Sequence, residues 1–286
     1  MWVANAGEGT VSRIDLSSRR TVARIPIGDI TAYSEPCKQR SIHQVPHGSF
    51  ELRMCDLPAA LALGPHALWV TKNDTRSLLR IDPSSNRVVA EVPIGIDAWY
   101  VTATATAVWA TDWGTSTVVR VDPRTNQVVA RVPDVPLGPT GIVATADAVW
   151  VACSRADVVV RIDPVTNRVA ATIPVGHTPL PVDAGFGSVW VRNENDENPG
   201  SVSRIDPLTN RVDATIPVVL EMGRDGLDGL AVTDRGVWVA GLDLEQIDPT
   251  TNRVTRRVRH TANAVTAAGG ALWTIDVAYS VTRFTP

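Results

Sequence analysis

Asp97, Trp99 and Tyr100 stand within four residues of one another, and Asp112 and Trp113 follow shortly after them. Rings beside carboxylates suit recognition: the rings stack on sugars, aromatic groups or a peptide, and the acids orient hydroxyl or amine groups. Tyr33, Tyr279, Asn263 and His177 join this candidate ligand-binding set, because each interrupts an otherwise regular pattern. A second group offers oxygen atoms. Asp183, Asp228 and Asn193, with Asp225 beside them, are the donor type that a hard cation such as Mg²⁺ or Ca²⁺ takes several of. The run Asn193 to Asn198 is also oxygen-rich, yet it fits no EF-hand spacing and reads more simply as a solvated hairpin. His43 and His47 lie four residues apart near a cysteine without regular zinc spacing. No catalytic residue is assigned. Cys153 has no histidine near it in sequence and reads as a small packed residue.

The elements that position these residues follow from tryptophan. Trp2, Trp69, Trp109, Trp150, Trp190, Trp238 and Trp273 recur at one point of a repeating phrase, the last six at intervals of 35 to 48 residues. That period fits a four-stranded propeller blade of roughly 40 to 50 residues. The interval from Trp2 to Trp69 is much longer and marks one insertion, about Asp29 to Pro58. Each unit reads as four short strands, shown by GIVAT, AVWVAC, VVVRIDP and RVAATIP between Gly141 and Pro174. We name them a to d, from the inside outwards. Alternation and β-branched residues suit half-buried strands. The tryptophan of strand b is expected to fill the space between blades. The c–d turn recurs as Asp-Pro-x-x-Asn at Asp82, Asp122, Asp163, Asp206 and Asp248, where the acids are turn formers. The first copy, Asp15 to Arg19, lacks Pro and Asn and is expected to be the loosest. The fold class is all-β: one domain, a seven-bladed propeller of four-stranded antiparallel blades.

The chain has 286 residues, 44% of them hydrophobic, with a formal net charge of −3. That charge gives no electrostatic reason for a nucleic-acid partner or an anionic membrane surface. No apolar run is long enough to span a membrane, and no signal peptide starts the chain. Cys37 and Cys55 both fall in the insertion. They either form a disulfide, contributing on the order of 3 kcal/mol by loop entropy, or stand as two free thiols in a cytosolic chain. The insertion reads as a long loop without clear periodicity.

Phrases such as VWVACSRADVVVRIDPVTNRVAATIPVG resemble the YVTN-type repeats of seven-bladed propellers, relatives of the virginiamycin B lyase propeller. The resemblance covers essentially the whole chain outside the insertion. It implies that the b–c and d–a loops share a top face around a central channel, where ligand sites lie and over which the insertion would fold as a cap. It also implies histidines at the inner strand tips, in a Pro-His-x-Ile phrase near magnesium. Here the phrase is Pro139-Thr140-Gly141-Ile142, with threonine in the histidine slot. The expected function is therefore a binding propeller for a small molecule, sugar or peptide. It would be a monomer, extracytoplasmic, secreted or part of a sensor, with a cytoplasmic location as the alternative. The rival is a metal-dependent lyase or hydrolase with Mg²⁺ or Ca²⁺ at the channel mouth. Strand a of the first blade and strand d of the last are missing from the count. Together they would make one segment of roughly 20 residues upstream of Met1, which would also carry any export signal.

Overall fold

The computed structural model describes residues 1–5, 8–28, 40–45, 48–53, 60–73, 75–194, 200–219, 229–262, 264–275 and 281–284. Its strands follow the repeat. Blade one holds Trp2–Asn5, Thr10–Ile14 and Thr21–Pro26. Blade two holds Leu61–Leu63, Leu68–Lys72, Ser77–Asp82 and Arg87–Pro93, and blade three Tyr100–Ala103, Val108–Asp112, Thr117–Asp122 and Gln127–Val132. Blade four holds Pro139–Ala144, Val149–Cys153, Val158–Asp163 and Arg168–Pro174; blade five holds Pro179–Gly185, Ser188–Asn193, Gly200–Asp206 and Arg211–Val218. Blade six holds Leu230–Thr233, Gly236–Val239, Leu244–Asp248 and Arg253–Val258, and blade seven Ala264–Ala268, Ala271–Ile275 and Val281–Phe284. Within each blade neighbouring strands pair antiparallel in sequence order. The protein is a seven-bladed propeller of four-stranded blades, three-stranded in the first and last. Among the described residues no helix is long and apolar enough to cross a membrane.

One expectation needs correction. The insertion is not wholly a loop, because Arg40–Val45 and Gly48–Arg53 pair as an antiparallel hairpin, His43 opposite Phe50. Phe50 and Leu52 alternate with Ser49, Glu51 and Arg53, a period of two too short to stand out in the surrounding charge.

By packing, the chain divides into two compact units, residues 1–112 with 119–130, and residues 113–118 with 131–286. In the first, Trp69, Leu78, Val92, Val101, Val108 and Val119 share a core; in the second, Trp150, Val159, Ile173, Val189, Val191 and Ile205 do. Trp69, Trp109, Trp150, Trp190, Trp238 and Trp273 are therefore core residues, as their period required, and Trp2 is partly buried. Deleting one such ring would cost about 3–5 kcal/mol.

The repeat hides a second device. The arginine of strand c lies over the tryptophan of strand b in its own blade: Arg13 on Trp2 at 5.3 Å, Arg80 on Trp69 at 5.8 Å, Arg161 on Trp150 at 5.9 Å and Arg204 on Trp190 at 5.1 Å. For Arg13, Arg80 and Arg204 the same guanidinium reaches the c–d turn of the next blade, whereas Arg161 donates to Asp147 of its own blade at 3.5 Å. Arg13 Nη1 donates to the Pro83 carbonyl at 2.6 Å and to Asn86 Oδ1 at 3.1 Å. Arg80 does the same at Pro123 and Asn126, both near 3 Å, and Arg204 at Pro249 (2.6 Å) and Asn252 (2.8 Å). The turn presents these acceptors because its Asn takes a left-handed backbone, φ 55° at Asn86 and Asn252, a conformation Asn tolerates better than most residues. The Asn N–H closes the turn on the Asp carbonyl, at 2.8 Å for Asn86. The Asp side chain accepts from a backbone N–H two residues on, at 2.8 Å for Asp82 and Ser84. That bond, with the Ser84 and Ser85 hydroxyls, draws the Asp82 pKa down to about 2. The first turn keeps the same left-handed step although it lacks Pro and Asn: Arg19 holds φ 56°, and Asp15 N–H donates to the Arg20 carbonyl at 2.9 Å.

Arg204→Ala is expected to lower stability by about 2 kcal/mol and Asn252→Ala by about 1 kcal/mol, with the double variant about 1 kcal/mol short of additivity. Urea unfolding of the four proteins measures this. Additive losses would mean that the two side chains do not act together.

Candidate functional site

In the first unit, four of the sequence-selected residues come together where the d–a connection after blade two meets the end of strand Val108–Asp112. Trp99 N–H donates to the Thr111 carbonyl at 3.0 Å, and Asp97 N–H to Asp112 Oδ2 at 3.3 Å. Tyr100 pairs with Thr111 across the sheet. Asp112 is only 2% exposed. Asp97 is engaged by Arg76 of the b–c loop, whose Nε and Nη2 donate to its two oxygens at 3.2 and 3.5 Å. The two acids thus order loops; a ligand in contact with Trp99 or Tyr100 would meet an ion pair rather than lone carboxylates.

In the second unit, Trp113 is fixed by its own donor. Its indole N–H donates to Ser154 Oγ at 3.0 Å, and that hydroxyl donates on to the Gly138 carbonyl at 3.2 Å. The Arg155 guanidinium lies 5.2 Å above the ring and is exposed. Gly138 takes φ +72°, and a Cβ there would press on the Arg155 backbone and side chain, so glycine keeps the room this stack needs. His177 sits on the d–a connection after blade four. Its Nδ1 lies 2.8 Å from one Asp157 oxygen and 2.9 Å from the other, and Thr178 N–H donates to Asp157 at 2.9 Å.

Thr140, in the slot that the resemblance gives to histidine, is 4% exposed. Its hydroxyl lies 3.2 Å from the Ala152 carbonyl and 3.1 Å from that of Pro179, joining the inner strands of blades four and five. Gly141 beside it packs against the Leu180 carbonyl so closely that a Cβ would collide. The strand tip is therefore filled by backbone stitching.

The cation candidates are placed apart. Asp183 accepts from Ala184 N–H and Val232 N–H, each at 2.8 Å, and so bonds the inner strands of blades five and six. Burial raises its pKa, offset in part by those two donors. Asn193 is fully buried, its amide donating to Ser201 Oγ at 3.1 Å and Ser203 Oγ at 2.9 Å. Its Oδ1 is buried without a hydrogen-bond partner among the described residues. Asn193 pairs with Pro179 across the sheet and Asp183 with Trp190, so the two are separated by roughly 10–13 Å along the strands at 3.3 Å per residue. Among the described residues no group of three or more His, Cys, Asp or Glu is arranged to hold a metal. Tyr33, Tyr279, Asn263, Asp225, Asp228, Cys37, Cys55 and His47 lie outside the described residues.

Sequence reasoning passed over Arg155, Asp157 and Ser154. Their signal was present as the break Cys153-Ser154-Arg155-Ala156-Asp157 in a b–c loop, the same loop position that marked Trp113 in the preceding blade. Cys153 is fully buried, and burial pushes its thiol pKa up to about 12. A raised folded-state value favours the protonated folded form, so the stabilising difference is whole below about pH 9 and is lost as pH rises towards 12. The stability of the native protein is expected to fall more steeply above pH 9 than that of Cys153→Ala. Denaturant midpoints of both proteins at pH 8 and pH 10.5 check this, and parallel slopes would contradict it.

No protein-family model and no curated protein matches the chain. Solved structures do match it. Hydrazine synthase from Kuenenia stuttgartiensis is 13% identical with a TM-score of 0.74, over 100% of this chain and 92% of that one. The Myceliophteria thermophila Cps50 (Swd1) β-propeller domain is 12% identical with a TM-score of 0.71, over 100% and 93%. A streptogramin B lyase is 16% identical with a TM-score of 0.59, over 88% of this chain and 89% of that one. At such identities these likenesses show the propeller fold alone.

Proposed function

We propose that this propeller is a binding module that takes a small molecule or peptide carrying an anionic group, on the face of its b–c and d–a loops. The observation that carries this reading is the Trp113–Arg155 stack. The indole is held in place by Ser154, and the exposed guanidinium above it makes no hydrogen bond or ion pair among the described residues. An oriented planar cation is suited to a carboxylate or phosphate, and the ring edge adds apolar contact. The use of Thr140 in backbone bonds favours binding over lyase-type chemistry at that tip. The YVTN-type repeat family, an extracytoplasmic or sensor setting, a Cys37–Cys55 disulfide, a capping role for the insertion and a monomeric state belong to the same proposal.

A second reading, a metal-dependent lyase or hydrolase, is favoured by one observation, the buried Asn193 Oδ1 without a partner among the described residues. Such an atom asks for a water or a cation.

Titration with carboxylate- and phosphate-bearing compounds and acidic peptides, followed by tryptophan fluorescence, is expected to give saturable quenching that Trp113→Phe diminishes. Arg155→Ala is expected to weaken binding at least tenfold, about 1.4 kcal/mol. Unchanged affinity in Arg155→Ala would overturn the proposal. A melting temperature raised by Mg²⁺ or Ca²⁺ and restored by EDTA would favour the second reading.

A further inference from the structure

The d–a connections after blades two and four pass through one equivalent position with different backbones. Asp97 and Thr178 correspond: each stands four residues before the valine, Val101 or Val182, that pairs with the residue following the blade's tryptophan. Asp112 and Asn193 correspond as well, three residues after Trp109 and Trp190. After blade two, Asp97 N–H donates to Asp112 Oδ2 at 3.3 Å, with no positive φ at Asp97. After blade four, Thr178 takes φ 47° and its N–H goes instead to Asp157 Oδ1, at 2.9 Å, on the b–c loop of the preceding blade. Asn193, fully buried, is left with an Oδ1 that has no partner among the described residues.

Three features oppose this arrangement. Thr178 is β-branched, and a left-handed backbone crowds its Cβ against the following carbonyl. It also precedes Pro179, whose ring favours an extended backbone in the residue before it. Blade four has the same step before its paired proline, Pro139, but fills it with Gly138, φ +72°, which carries no such strain. The third is the orphaned buried oxygen, which asks for a donor. Asp157 opposes all three, because it accepts the Thr178 N–H and lies 2.8 and 2.9 Å from His177 Nδ1. The awaiting acceptor is close by. A Cβ on Gly176 would sit 2.7 Å from Asn193 Cγ, and the Thr178 carbonyl accepts from Glu194 N–H at 3.2 Å.

We propose that residues 176–179 form a two-state latch held by Asp157. On release the peptide between His177 and Thr178 turns over, Thr178 becomes extended, and its N–H donates to Asn193 Oδ1 as Asp97 donates to Asp112. His177 parts from Asp157 in the same step. Strain that persists only because a neighbouring group over-determines it is the mark of a switch segment. The latch is open to solution, since the His177 and Asp157 side chains are 42% and 44% exposed. A cationic group that engages the Asp157 carboxylate therefore releases it. The inference does not depend on anion binding at Trp113 and Arg155.

The test is heteronuclear NMR of the labelled 286-residue protein, with the carbon shifts of Thr178 reading its backbone and amide exchange reading its N–H. Asp157→Ala is expected to move the Thr178 Cα and Cβ shifts from left-handed to extended values while its amide stays protected to within about tenfold of the native protein. Asp157→Asn, which keeps an oxygen for the N–H, is expected to retain the native shifts. Left-handed shifts that persist in Asp157→Ala would overturn the inference. So would a Thr178 amide that exchanges like an open loop in that variant, or an identical response to alanine and asparagine.

Discussion

The structure depends on a cation held over an indole. A guanidinium brought out of water needs acceptors for its donors and a polarisable surface for its face, and the repeat supplies both from different blades. Strand b provides the ring and the next blade's turn provides a carbonyl and an amide oxygen. For Arg80 and Arg161 the Nε is buried with no hydrogen-bond acceptor among the described residues, and the indole lies beneath the guanidinium. Tryptophan is therefore more than bulk: leucine would fill the space but leave the charge without a partner face. The same interaction accounts for the Asn at the fourth step of the later turns; the first turn, with Arg19 there, keeps the left-handed backbone without that acceptor. Only a residue that accepts a left-handed backbone and presents a side-chain oxygen can both close the hairpin and receive the arginine.

Blade six shows what happens when the slot changes. Its strand c carries Gln246 where the repeat has arginine, and the facing residue of strand d, alanine in blades one, two, four and five, is Arg256. The cation has crossed one strand and still lies over the tryptophan, 5.9 Å from the Trp238 ring. Gln246 donates instead to the Arg235 carbonyl in the a–b turn of its own blade, at 2.7 Å. The neighbouring position carries Glu245 in place of the Leu79 type, a nearly fully buried acid that accepts from Arg257 Nε and Val219 N–H. The arginines of this outer strand are exposed, yet two of them are engaged, Arg256 by the Trp238 ring and Arg257 by Glu245.

The tryptophan period and the Asp-Pro-x-x-Asn turns made strands and blades legible, since strand period and turn chemistry act within a few residues. The arginine clamp was not legible for the opposite reason: Arg80 and Asn126 are 46 residues apart, and nothing local to either names the other. The hairpin of the insertion was hidden by its shortness. In the candidate site, the residues that break the repeat were found, but their partners were not. Asp97 and His177 were visible as unusual loop residues, whereas Arg76 and Asp157, which engage them, lie about twenty residues earlier across a whole hairpin.

Those two pairs show how one scaffold carries different chemistry. Arg76 and Asp157 occupy the same step of the b–c loop, with φ 51° and 54°. The carbonyl of each accepts the N–H that leaves strand d, Ile94 on Arg76 at 2.9 Å and Val175 on Asp157 at 3.0 Å. In blade one Gly9, φ 60°, does the same for Ile27 at 3.0 Å without any side chain. Backbone bonds therefore fix where the two loops meet, and the side chains at that junction can differ from blade to blade. Blade two uses this freedom for an arginine on an aspartate, and blade four for an aspartate on a histidine. Charge at the loop face can consequently change sign from blade to blade without altering the strands beneath it. A repeat protein acquires a specific site in this way while its tryptophans and turns stay the same.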